Sequence, residues 1–267
     1  MSSRIDDTFS RLRTKNKKGF IAYITGGDPD LPRTFLVAHA LERAGIDILE
    51  IGLPFSDPLA DGIANQLSAQ RALESGTNIP KLLAAITEFR KTSELPIVIY
   101  SYLNPVLNHG FHKFHLEAAA AGVDGLLLLD LPPDEAQRSA ELADSVGLQR
   151  ILLIAPTTPA PRIAKITAAG SGFIYYVSRE GVTGEQASVA TSLPERVALI
   201  RSTTNLPVAV GFGVSNPEQA AEVAAAGDAV VVGSAIVKRI QEYANDPQLG
   251  EKIYQFVRPL VEAAHRG

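Results

Sequence analysis

A glutamate inside an apolar run is the first residue in this sequence that could do chemistry. It is Glu50, in Ile48-Leu49-Glu50-Ile51-Gly52. A buried carboxylate is costly unless it has a partner or a task. Burial raises its pKa and suits it to moving protons near neutrality. The competing reading is a glutamate paired with a structural lysine or arginine. Just downstream lies Pro54-Phe55-Ser56-Asp57-Pro58-Leu59-Ala60-Asp61-Gly62, a loop stiffened by two prolines. Aspartates in loops commonly form turns or cap helices. A second carboxylate near Glu50 would instead let acid and base roles divide between two groups.

Three glycine-bearing segments suggest an anion. Ser178-Arg179-Glu180-Gly181-Val182-Thr183-Gly184 reads as a lid or anion loop, or as a plain flexible loop. Gly211-Phe212-Gly213 and Gly233-Ser234 each follow an apolar run. Glycine lets backbone N–H groups approach a phosphate closely, and a helix N-terminus favours negative charge. The histidines (His39, His109, His112, His115, His265) lack the spacing of a zinc site. Lys113, Lys165 and Lys238 fall on helical segments and read as surface charges.

The elements that must position these residues alternate along the chain. Apolar runs at 20–25, 46–51, 97–101, 125–129, 150–154, 173–177, 208–210 and 229–232 read as strands buried on both faces, as in a parallel sheet. Helical segments follow them at 32–44, 79–91, 113–121, 134–146, 161–169, 193–202, 217–226 and 234–243. Eight such units predict α/β architecture, a (β/α)8 TIM barrel formed by residues 1–267 as a single domain. Segments 4–13 and 250–265 add a helix at each end. An open doubly wound sheet is the rival. In a barrel, the site lies at the C-terminal ends of the strands, and phosphate is commonly held after strands seven and eight. Ala-Gly-Ile-Asp (44–47), Ala-Gly-Val-Asp (121–124) and Ala-Gly-Asp (226–228) form an internal repeat at helix-to-strand junctions. Its glycines are expected to be left-handed.

Bulk properties fit this reading. The 267 residues suit one large α/β domain, and 46% hydrophobic residues can fill its core. A net charge of −4 disfavours an unspecific nucleic-acid binder. Without cysteine there is no disulfide framework or thiolate metal site. No signal-peptide pattern or apolar run of ~20 residues is present, so a cytoplasmic location is expected.

Leu49-Glu50-Ile51-Gly52-Leu53-Pro54-Phe55-Ser56-Asp57-Pro58-Leu59-Ala60-Asp61-Gly62 resembles the signature of the tryptophan synthase alpha subunit family. Tyr23-Ile24-Thr25-Gly26-Gly27-Asp28-Pro29, Tyr102-Leu103-Asn104-Pro105, Asp130-Leu131-Pro132, Tyr175 through Gly184, Gly211 through Val214 and Gly233 through Val237 are similar to its other segments, in order. The resemblance implies retro-aldol cleavage of indole-3-glycerol phosphate to indole and glyceraldehyde 3-phosphate. It also implies catalytic roles for Glu50 and Asp61. Tyr23, Tyr102 and Phe212 would line the indole pocket, Tyr175 would lie beside the glycerol phosphate, and Thr183 would touch the aspartate. Gly184, Gly213, Gly233 and Ser234 would cradle phosphate. No metal or cofactor is implied on this chain. A beta subunit carrying pyridoxal phosphate is implied as partner, in an α2β2 heterotetramer. Ile63-Ala64-Asn65-Gln66, Tyr23 and Glu180 depart from the usual pattern, which bears on loop dynamics and partner fit. A stand-alone indole-3-glycerol phosphate lyase, another phosphate-binding barrel enzyme and a non-catalytic regulator are the alternatives.

Overall fold

The computed structural model describes the backbone of residues 3–131, 133–177 and 186–267, and their side chains except at 133–138 and 186–192. The strands are β1 (Gly19–Thr25), β2 (Ile48–Gly52), β3 (Ile97–Ser101), β4 (Gly125–Leu128), β5 (Gln149–Arg150), β6 (Leu152–Ile154), β7 (Ile174–Val177), β8 (Val208–Gly211) and β9 (Ala229–Val232). All pairings are parallel, in the order β5-β4-β3-β2-β1-β9-β8-β7-β6. The sheet ends, β5 and β6, are consecutive pieces of one stretch of chain that changes partner at Ile151. The ring is therefore a nearly closed barrel and not an open sheet.

The segment expected as one strand at 150–154 is split because Arg150 is held elsewhere. Its N–H donates to Ser171 Oγ at 2.8 Å and its carbonyl accepts from Ser171 N–H at 2.9 Å. Pairing with β7 begins only at Leu152.

Helices cover the outside: α2 (Leu31–Ala44), α3 (Ile63–Glu74), α4 (Ile79–Arg90), α5 (Leu103–His109), α6 (Phe111–Ala121), α7 (Pro133–Val146), α8 (Ala160–Ala169), α9 (Gln186–Arg201), α10 (Pro217–Ala226), α11 (Ser234–Glu242) and α12 (Leu249–Ala264). An N-terminal helix, α1 (Arg4–Thr14), precedes β1. The sequence pattern did not reveal α3 and α5. Helix α3 buries only Ser68, Ala69 and Ala72, so it lacks the apolar stripe that marks a surface helix. Helix α5 is a seven-residue insert with Pro105 in its first turn.

Strand alternation sorts the apolar residues into two cores. One lies between barrel and helices. The other fills the barrel interior with Ile21, Ile48, Val98, Leu127, Ile151, Phe173, Ala209, Ala229 and Val231. Ile5, Phe9 and Leu12 of α1 belong to this interior core. They recur at helical spacing, and a capping box between Ser3 and Asp6 starts the helix. Phe9 meets Phe173 at 5.8 Å between ring centroids, so α1 closes the N-terminal end. Phe9→Ala should lower the unfolding free energy by about 3 kcal/mol, measured by denaturant titration of the helical signal. A loss under 1 kcal/mol would show that α1 merely rests on the surface.

The repeated Ala-Gly-(x)-Asp junctions share a purpose. Asp47, Asp124 and Asp228 each accept the backbone N–H of a neighbouring strand residue (Phe20, Ile97 and Val208) at 2.9, 2.8 and 2.9 Å. Each also donates its own N–H to that residue's carbonyl. These clasps fix strand register at the end remote from the site. Gly45 and Gly122 are left-handed, at φ +93° and +91°. The third glycine, Gly227, is extended at φ −107°, against expectation. Its repeat is one residue shorter, and a Cβ there would lie 2.9 Å from Val210 Cγ2 and 3.0 Å from the Val208 carbonyl oxygen.

Candidate active site

Glu50 sits one interior position above Ile48 on β2 and is 1% exposed. Neither carboxylate oxygen has a hydrogen-bond partner among the described residues. The structural ion pair considered above is therefore absent there. Burial, followed by the charge of Asp61, pushes its pKa up to about 8. The carboxyl group consequently carries a proton at neutral pH.

Phenols surround it. Tyr23 on β1 is its register neighbour and is buried. Tyr175 occupies an interior position of β7 and packs against the interior core. Burial and the nearby carboxylates raise the pKa of both phenols, so they stay neutral. Small residues at the strand ends make room for the rings. A Cβ on Gly52 would come within 2.2 Å of Tyr23 Oη, and one on Gly211 within 3.1 Å of the Tyr175 ring.

Asp61 enters from the loop between β2 and α3. Tyr100 Oη donates to its Oδ1 at 2.8 Å, and Tyr102 Oη to its Oδ2 at 3.1 Å. Tyr102 Oη accepts from Ala60 N–H at 2.9 Å, tying the loop to the end of β3. Burial raises the Asp61 pKa, while hydrogen bonds from Tyr100, Tyr102 and Asn65 oppose the rise. Helix α3 fixes this loop from behind. Arg71 donates twice to Asp28, at 2.8 and 2.7 Å, and Ser68 Oγ lies 2.6 Å from Thr25 Oγ1.

The structure thus brings together Glu50, Asp61, Tyr23, Tyr102 and Tyr175. Asp57, in the same loop as Asp61, is exposed. Tyr100 and Asn65 were not foreseen. The signal for Tyr100 was its two-residue spacing from Tyr102, which puts both on one strand face.

At the ends of β8 and β9, Gly213 is exposed in a left-handed conformation at φ +68°. Phe212 packs partly buried against the outer core. Gly233 precedes α11, whose first turn has no side-chain cap. The first N–H groups of a helix lack intrahelical partners, and an uncapped first turn leaves them free of a side-chain acceptor. Thr183 and Gly184, with the rest of 178–184, lie outside the described residues. Lys113, Lys165 and Lys238 are exposed on helices, as expected. His115 is buried on α6, with Nδ1 bonded to the Phe111 carbonyl at 2.8 Å. Among the described residues, no group of three or more His, Cys, Asp or Glu could hold a metal ion.

The chain matches the family model described as "Tryptophan synthase alpha chain" over residues 9–265. It belongs to that family. It is 51% identical to the tryptophan synthase alpha chain of Opitutus terrae over 92% of each chain. Its identity to the one from Citrifermentans bemidjiense is 48% over 99% of each. Its fold is similar to the alpha subunit from Legionella pneumophila, with a TM-score of 0.89 at 36% identity over 99% of each chain. For a structure of Mycobacterium tuberculosis tryptophan synthase the TM-score is 0.90 at 34% identity, covering both chains fully. The alpha chain is a lyase of tryptophan biosynthesis that cleaves indole-3-glycerol phosphate. No helix among the described residues is long and apolar enough to cross a membrane.

Proposed function

We propose that Glu50 and Asp61 carry out the cleavage of indole-3-glycerol phosphate, with Glu50 moving the protons and Asp61 holding the indole ring. The observation that carries this reading is the asymmetry of the pair. Glu50 is buried without a hydrogen-bond partner among the described residues and protonated at neutral pH, whereas Asp61 is held by phenol donors. Burial raises the pKa of both, but only Asp61 has donors that oppose the rise, and carboxyl groups in such unlike surroundings can divide acid and base work.

Glu50 first gives its proton to indole C3, which turns the ring into an electron sink. The ring N–H, now cationic, donates to ionised Asp61. Such preorganised electrostatic stabilisation is commonly the largest catalytic effect. The Glu50 carboxylate next takes the proton of the glycerol hydroxyl beside the scissile bond. The C–C bond breaks, its electron pair returns to the ring, and the hydroxyl becomes the aldehyde of glyceraldehyde 3-phosphate. Tyr23, Tyr102 and Phe212 line the indole pocket in this reading, and Tyr175 lies beside the glycerol phosphate. Gly184, Gly213, Gly233 and Ser234 hold the phosphate, and Thr183 closes on Asp61. Anchoring both ends fixes the reacting bond between the carboxyl groups.

The proposal needs no metal or organic cofactor on this chain and treats residues 1–267 as one working domain in the cytoplasm. It includes a beta subunit carrying pyridoxal phosphate, which would consume indole in an α2β2 assembly. Supporting that partner, Leu59, Ile63 and Leu107 are exposed around the mouth. A groove there is lined by Pro54, Leu73, Pro80 and Pro105. The test is a cleavage assay with indole-3-glycerol phosphate, with and without a beta subunit. Strong activation by the beta subunit is expected. High turnover without any partner would favour a stand-alone lyase, and no cleavage under either condition would overturn the reading.

A further inference from the structure

Tyr100 has no role in the reaction as set out above, yet it is fixed at its centre. It lies on the inward face of β3, two residues after Val98 of the interior core and two before Tyr102. Its ring and that of Tyr23 pack in a T-shaped pair at 5.2 Å between centroids. That hydroxyl donates to Asp61 Oδ1 at 2.8 Å, while Tyr102 donates to Oδ2 at 3.1 Å. Both oxygens of the carboxylate are thus engaged by phenols of the protein itself.

We propose that Tyr100 is a positioning residue for the cleavage reaction. Its phenol, with that of Tyr102, holds Asp61 inward and ionised, so that the acceptor for the indole N–H exists before the substrate arrives. The inference rests on the role assigned to Asp61 above. A carboxylate has about four lone-pair sites, so two phenols leave room for the indole N–H.

The groups facing Asp61 are Tyr23 from β1, Glu50 from β2, Tyr100 and Tyr102 from β3 and its end, Asn65 from α3 and Tyr175 from β7. Among the described residues, none of the groups facing it is a cation. Burial raises the Asp61 pKa, and the donated hydrogen bonds of Tyr100, Tyr102 and Asn65 are what opposes that rise and favours the charged form.

The test is Tyr100→Phe in the full chain, assayed with indole-3-glycerol phosphate across pH. The variant keeps the ring and should melt like the wild type. Hydrogen bonds to charged groups are among the stronger ones, so kcat should fall by about tenfold. KM should stay within about twofold, because the interaction acts in the transition state. The acid limb of the rate profile should move to higher pH, since Asp61 would take up a proton more readily. In an Asp61→Asn background the same change should have no further effect on kcat.

A wild-type kcat and profile would overturn the inference. So would a lower kcat with an unmoved acid limb, which is the signature of packing alone. Should Tyr100→Phe lose structure, Tyr100→Met, which also lacks the hydroxyl, is read in the same way. A wild-type chain that fails to cleave the substrate defeats the functional reading as well. Cleavage by the wild type, with Asp61→Asn inactive and Tyr100→Phe intact, defeats only the role of Tyr100.

Discussion

Glu50→Gln is expected to abolish cleavage and yet to stabilise the folded chain. The loss should be about 10²–10⁴-fold, the usual contribution of a general acid–base group. Glutamine matches the shape of the protonated acid but cannot give or take the proton. The gain in stability follows from the same burial. The folded state holds the Glu50 proton up to about pH 8, well above its ordinary value of 4.5. Below pH 4.5 the folded and unfolded chains both keep the proton, and the wild type carries no penalty. As pH rises, the unfolded chain ionises first and is favoured by about 1.4 kcal/mol per pH unit. The penalty levels off near pH 8. By pH 7 it amounts to about 3 kcal/mol, which glutamine does not suffer. Denaturant titrations of both proteins at pH 5 and pH 8 check this. A stability difference that does not grow with pH would refute the account of Glu50 as a desolvated acid.

Asp61→Asn should also be nearly inactive, for a different reason. In the proposed reaction it removes the negative charge that would face the cationic ring, an effect worth about 10²–10³-fold in comparable sites. It also leaves one oxygen to accept from two phenols. With that charge gone, Glu50 should release its proton at lower pH, because Asp61 is one of the two causes of its raised pKa. The residual activity should therefore peak at lower pH than the wild type. Turnover within fivefold of wild type, or an unmoved optimum, would remove Asp61 from the reaction.

Much of this was legible in the sequence, where composition contradicted context. Glu50 stood out because strand β2 is otherwise apolar, and the strand ladder was visible because both faces of each strand are buried. The loop of Asp61 announced itself by its prolines, but its support did not. Helix α3 buries serine and alanine and leaves Ile63 72% exposed, so no apolar periodicity marked it. Tyr100 reads as an ordinary strand former; its spacing from Tyr102 puts the two on one face, but its bond to Asp61, distant in sequence, is visible only in the fold. Gly227 shows the same limit. Its extended backbone depends on a one-residue shortening whose effect is felt against Val210 on a neighbouring strand.

The interior layer of Ile21, Ile48, Val98 and their neighbours, with Ile5, Phe9 and Leu12 beneath it, makes the barrel a cul-de-sac. One reactant enters and two fragments of unlike polarity must back out through the same doorway. Anything resting on the rim, whether a lid or another chain, then meters arrival and departure together. A change at that rim would slow both kinds of traffic in the same sense.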